Sequence, residues 1–133
     1  MGRTIKLQND TYLANDIYST DEKVIGMWGA KPLYRKVFAF NLTSNTYTFT
    51  SYSLGLSNIE HIYINSASSF IEAGNGQTYQ INQVRYQNNT VAYNNEYSWF
   101  RINTSGSDIN YSIGNTLAGG RCYLCVEYIK TTD

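Results

Sequence analysis

The sequence predicts an all-β protein: an antiparallel β-sandwich, jelly-roll-like. Three observations predict it. From Val24 onward the chain is a series of short runs with period-two alternation, separated by Asn-, Gly- and Ser-rich turns. No window of eleven or more residues carries a helical stripe of apolar side chains. Eight or nine short alternating strands need two facing layers to bury one side each, and a sandwich supplies them.

Each element follows from its own residues. Residues 1–16 are polar and read as an approach segment, with one possible strand at Thr4 to Leu7; residues 17–133 form the head domain. Ser19 or Thr20, with Glu22 behind it, has the spacing of a helix-capping box, so Ser19 to Val24 is the one helical-turn candidate. A Gly-Ala-Lys-Pro turn follows Trp28. Leu33 to Leu42 puts Tyr34, Phe38, Phe40 and Leu42 on one parity. Thr46 to Leu54 alternates Thr with aromatics after an Asn-rich turn, and Asn58 to Ser66 and Ser68 to Glu72 read as further strands. Ala73 to Gln77 places two glycines around an Asn, all tolerant of positive φ, so it is a turn. Gln77 to Gln87 and Thr90 to Asn94 form a hairpin through Asn88-Asn89. Tyr97 to Thr104, Asp108 to Ile113 and Arg121 to Lys130 complete the set, with turns at Ser105-Gly106-Ser107 and Leu117 to Gly120.

Composition limits function. At 133 residues and 15.1 kDa the chain is one domain, large enough to fold without a disulfide. Hydrophobic residues make up 42%, but 13 residues are Tyr, so the aliphatic core is thin. Charged residues are 15%, below the usual quarter or so. Net charge is zero and no cationic cluster exceeds two in a row, so nucleic acid is not expected as a partner. No apolar run reaches the length of a membrane span, so membrane insertion is not expected either. Polar residues follow Met1-Gly2-Arg3, so no signal peptide is expected; Met1-Gly2 reads as an expression start before an excised fragment.

The two cysteines, Cys122 and Cys125, lie in an alternating strand. There, positions three apart are about 10 Å apart and face opposite ways. A disulfide tolerates about 7 Å between Cα atoms at most. Two free, unreactive thiols are expected. With one histidine, His61, and no second CxxC, a closed zinc site is not expected within one chain. Carboxylates are scattered without a glycosidase-like local pair, and there is no nucleophile elbow, phosphate loop or calcium loop. His61 lies inside a strand and reads as structural. No enzyme activity, metal or cofactor is expected.

Aromatic residues are the positive signal. In Val91 to Arg101 the residues Tyr93, Asn94, Asn95, Tyr97, Trp99 and Arg101 combine ring faces with amides and a guanidinium. A sugar's apolar face stacks on such rings while amides and Arg bind its hydroxyls. A regular strand would put Tyr93, Tyr97, Trp99 and Arg101 on one face. The alternative is that Trp99 is core and Asn94-Asn95 only a turn. The Tyr47 to Tyr52 strand and the Ala73 to Gln77 turn are weaker candidates.

One resemblance adds to this. IYSTDEKVIGMWGAKPLYRK, Ile17 to Lys36, and the closing EYIKTTD, Glu127 to Asp133, resemble the C-terminal head module of tail-fibre and receptor-binding proteins of phages and prophages of Gram-positive bacteria. Members carry YSTxExVIGxWxDGKPxYxK and end near YTKTTD. Here Trp28-Gly29-Ala30-Lys31-Pro32 lacks one residue and the Asp; Trp28 falls at the family's tryptophan, and the resemblance implies that it packs under the Lys31-Pro32 turn. The resemblance implies non-catalytic adhesion to a host cell-surface polysaccharide, a homotrimer, and a place at the fibre tip of the virion. It equally allows a trimerisation or folding cap, or an accessory domain of a polysaccharide-degrading tailspike.

Overall fold

The computed structural model describes residues 18–43, 48–83, 85–87, 90–92 and 95–133. The approach segment and the possible strand at Thr4 to Leu7 lie outside the described residues. Among them, eleven strands occur: β1 Lys23–Trp28, β2 Lys31–Asn41, β3 Thr50–Ser53, β4 Ile59–Ile64, β5 Phe70–Glu72, β6 Thr78–Gln80, β7 Arg85–Gln87, β8 Thr90–Ala92, β9 Ser98–Ile102, β10 Asp108–Ile113 and β11 Arg121–Lys130. Two short 3-10 turns, Ser66–Ser68 and Asn115–Leu117, interrupt them. Every strand pairing is antiparallel.

The all-β reading holds. A large sheet runs β1-β2-β11-β5-β6, with β4 also on β11; a small one runs β9-β10-β3; β7 and β8 pair alone. This strand order does not spell out a jelly roll.

β11 organises the large sheet. One edge pairs with β2 over eight residues, from Arg121↔Asn41 to Tyr128↔Tyr34. The other edge is shared: Val126 to Lys130 takes β4, and Arg121 to Tyr123 takes β5. Between these partners the ladder is filled locally. Asn65 N donates to Cys125 O at 2.8 Å, and Cys125 N donates to Ser69 Oγ at 2.8 Å. Ser69 is buried, so its hydroxyl replaces a strand partner that the chain lacks there.

Period two then sorts the side chains. Phe38 and Phe40 of β2 and Cys122, Leu124, Val126 and Tyr128 of β11 face the small sheet. Phe100, Ile109, Tyr111 and Ile113 answer from the other layer. Phe40 stacks on Tyr52 with centroids 4.0 Å apart, and Phe100 on Tyr111 at 5.5 Å. Cys125 has the opposite parity and is also fully buried, because Tyr18 and Ser69 lie over that part of the outer face. Both thiols are free, as the alternation implied. Burial pushes Cys122 up to about 12 and Cys125 up to about 11.

Three local expectations change. No capping box forms at Ser19: its hydroxyl accepts from Asp21 N at 3.0 Å, and Lys23 already starts β1. Glu22 instead accepts from Tyr128 Oη at 2.6 Å and Lys130 Nζ at 2.8 Å. Those long-range bonds outweigh a local helical turn. Gln77 to Gln87 is not one strand; it divides into β6 and β7, and Asn82 between them has φ +60°. Its side chain accepts from Phe100 N at 2.6 Å, so the break ties this segment to β9. Finally, Trp28 does not pack under a Lys31-Pro32 turn. Lys31 and Pro32 are already in β2, paired with Trp28 and Met27. The turn is only Gly29-Ala30, with Gly29 at φ +60°, a type II′ hairpin. Trp28 is 46% exposed.

Candidate functional site

The outer face of the small sheet is built by β9, β10 and β3. In β9, Ser98 and Phe100 point inward and are buried, so Trp99 and Arg101 point outward. Register then sets their neighbours: Trp99 lies opposite Ser112, Arg101 opposite Asn110, and Asn110 opposite Ser51.

Two parallel rows result. One is aromatic: the Trp99 and Phe49 rings meet edge to face, with centroids 5.8 Å apart. Both remain more than 40% exposed, although apolar area this large is usually covered. The other row is polar. Arg101 Nε donates to Asn110 Oδ1 at 3.4 Å, and Asn110 Nδ2 donates to Ser51 Oγ at 2.7 Å. The rows are joined by Arg101, whose guanidinium carbon lies 4.2 Å from the Phe49 centroid. That cation–π contact holds the guanidinium against the Phe49 ring, and its five donors exceed what Asn110 accepts.

The six sequence candidates separate. Trp99 and Arg101 are together on this face. Tyr93 and Asn94 lie outside the described residues. Asn95 is exposed in the turn before β9, and its backbone carbonyl accepts from Thr116 N at 2.8 Å. Tyr97 is a correction: it is 2% exposed and offers no ring face to a ligand. The Tyr97 carbonyl still accepts from Gly114 N at 2.9 Å, and its hydroxyl reaches Ser112, the residue opposite Trp99, so Tyr97 keeps the Trp99 parity but is covered there. Its hydroxyl and Ser112 Oγ share a hydrogen bond of 2.8 Å, as a buried phenol requires.

Phe49, Asn110 and Ser51 were not among the six. Phe49 falls in the Tyr47 to Tyr52 stretch, a weaker candidate by sequence, whose alternation of Thr with aromatics does not by itself say which face is covered. Asn110 sits between the inward Ile109 and Tyr111, a period-two signal for an outward amide. Neither signal says which strands become neighbours.

Among the described residues, no group of three or more His, Cys, Asp or Glu could hold a metal ion. No helix of the described residues is long and apolar enough to cross a membrane. What the face offers is stacking surface and hydrogen bonding. Comparison with known proteins finds no matching family model, no matching curated protein and no matching solved structure.

Proposed function

We propose that this chain is a non-catalytic adhesion domain that binds a host cell-surface polysaccharide, working as the distal head of a phage tail fibre. The observation that carries the reading is the exposed Trp99–Phe49 pair beside the Arg101–Asn110–Ser51 row. A pyranose has an apolar face and a rim of hydroxyls, and this surface offers a counterpart to each. The resemblance of residues 17–36 and 127–133 to tail-fibre heads supports the placement on a fibre. Each contact is shallow, so useful retention comes from several copies acting on one polymer. A homotrimer provides those copies. Light scattering is then expected to give about three times 15.1 kDa, and a monomer across the concentration series counts against the trimer.

A second reading, a folding or trimerisation cap, draws on β1, where Val24 and Met27 are 56% and 62% exposed. One experiment separates the two. Trp99→Ala is expected to lose retention on immobilised cell-wall polysaccharide from Gram-positive bacteria, with a melt close to wild type because the ring is exposed. Arg101→Ala weakens retention less. Wild-type retention by Trp99→Ala, or a melt far below wild type, removes this face as the site. Absence of retention by the unaltered protein leaves the cap reading.

A further inference from the structure

The outer face of the large sheet carries a second set of rings, distant in sequence from the first. Trp28 ends β1, and His61 and Tyr63 are on β4. Trp28 and His61 stack in parallel, with centroids 5.7 Å apart and planes 16° apart. Tyr63 meets Trp28 at 6.3 Å and 48°. All three are exposed: Trp28 by 46%, Tyr63 by 38%, and the His61 side chain by 60%. This is the same unusual investment in uncovered aromatic area seen around Trp99.

The rings are held in place from below. Tyr63 donates its hydroxyl to Glu127, which is 4% exposed. Glu127 also accepts from Arg35 Nε at 2.8 Å and Asn65 Nδ2 at 3.0 Å. The polar end of Tyr63 is therefore anchored while its flank faces solvent. Trp28 is fixed by the two-residue hairpin at Gly29-Ala30. Prepositioned rings lose little entropy when a ligand lands on them.

The rim selects the chemistry. Lys31 Nζ donates to Glu60 Oε1 at 2.5 Å and to Lys130 O at 3.1 Å, so its charge is matched. Glu60 Oε2 and His61 Nε2 are 4.0 Å apart, beyond hydrogen-bond range of each other. A hydroxyl oxygen can sit about 2.8 Å from both, and a hydroxyl both donates and accepts. It donates its one proton to Glu60 Oε2 and accepts from His61 when Nε2 carries the hydrogen. A locally neutral rim with a hydroxyl-sized gap beside flat rings fits a sugar better than an ion.

We infer that Trp28, His61 and Tyr63, with Glu60 at the rim, form a second saccharide-stacking site for a neutral pyranose. It rests on the adhesion reading above. The two sites lie on the outer faces of two sheets that pack together, so they face away from each other. They engage different sugar residues, and one chain is bivalent towards a polymer.

The sequence contains two tryptophans, one in each site. Single-tryptophan variants therefore report the sites separately. Trp99→Phe leaves Trp28 as the reporter, and Trp28→Phe leaves Trp99. Each is titrated with cell-wall polysaccharide from Gram-positive bacteria while emission and acrylamide quenching are read. The expected result is that Trp28 shifts its emission and becomes protected from acrylamide in Trp99→Phe. In the same background, His61→Ala or Glu60→Gln is expected to lower the apparent affinity by about tenfold. A silent Trp28 beside a responding Trp99 overturns this inference and leaves the adhesion reading in place. A responding Trp28 beside a silent Trp99 upholds it and moves the adhesion site to the large sheet. Silence of both overturns both. A Trp28 response unchanged by both His61→Ala and Glu60→Gln also overturns the site as drawn.

Discussion

Replacing Glu127 by Gln tests whether the large sheet is organised around a buried ionic network. Glu127 is 4% exposed and accepts from Arg35, Tyr63 and Asn65, all of them donors. Arg35 is paired through Nη2 as well, at 2.6 Å, and its side chain is only 16% exposed. Glutamine removes the charge that balances Arg35 and turns an NH2 group towards one of the three donors. Losing one partner of a buried pair costs about 3 to 5 kcal/mol, and the lower end applies here because one amide oxygen still accepts. A domain of 133 residues has an unfolding entropy near 0.28 kcal/mol/K, at about 2.1 cal/mol/K per residue. The midpoint is therefore expected to fall by about 11 °C. Calorimetry at neutral pH measures it directly. Acid supplies a second arm. Burial pushes the Glu127 carboxyl up, but hydrogen bonds from Tyr63, Asn65 and Arg35 outweigh burial and hold it below its ordinary value of 4.5. A carboxylate lowered on folding adds stability that is complete above the unfolded value. That stability is lost as pH falls through the folded value. Wild type is therefore expected to lose more midpoint than Glu127→Gln when both are taken below pH 4.5. Glu22, also lowered by bonds from Lys130 and Tyr128 that outweigh its burial, keeps a smaller slope in both proteins. A midpoint change under about 3 °C, or equal acid slopes, refutes the reasoning.

Two further outcomes follow from packing. Neither Cys122 nor Cys125 is expected to react with a thiol reagent at pH 8, since both are fully buried with thiols pushed to about 12 and about 11; both should titrate after denaturation without reductant. Rapid native labelling, or an intrachain Cys122–Cys125 bond by mass spectrometry, contradicts the two-faced burial of β11. Gly120→Ala is expected to destabilise by about 1 to 3 kcal/mol, because its Cβ would meet Glu72 O and Leu117 O, each at 2.9 Å, and backbone yields poorly; a denaturant midpoint equal to wild type contradicts it.

The alternating runs in this chain determine strand existence and facing with little outside help. Asp108–Ile113 and Arg121–Lys130 have the bounds that their alternation implies, and Phe38, Phe40, Ile109 and Tyr111 point inward as their parity requires. Period two is a local property of the backbone, so it survives in the sequence. Trp99 and Arg101 face outward for the same reason. Tyr97 marks the limit, since parity decides which face a side chain takes but not whether another part of the chain covers it, and Tyr97 is 2% exposed. Glu22 marks another: a plausible capping pattern yields to Tyr128 and Lys130, more than a hundred residues away.

Tertiary structure alone decided which strands became neighbours. Phe49 reaches Trp99 because β10 brings β3 and β9 to its two edges, and Trp28 reaches His61 because β11 gathers β2 and β4. Strand pairing depends on which distant runs bury the most surface together and on loop closures spread over the whole chain. No local window holds that information. The alphabet of each candidate site is therefore written in the sequence, while the assembly of its rings and hydrogen-bonding groups is a property of the folded sheets.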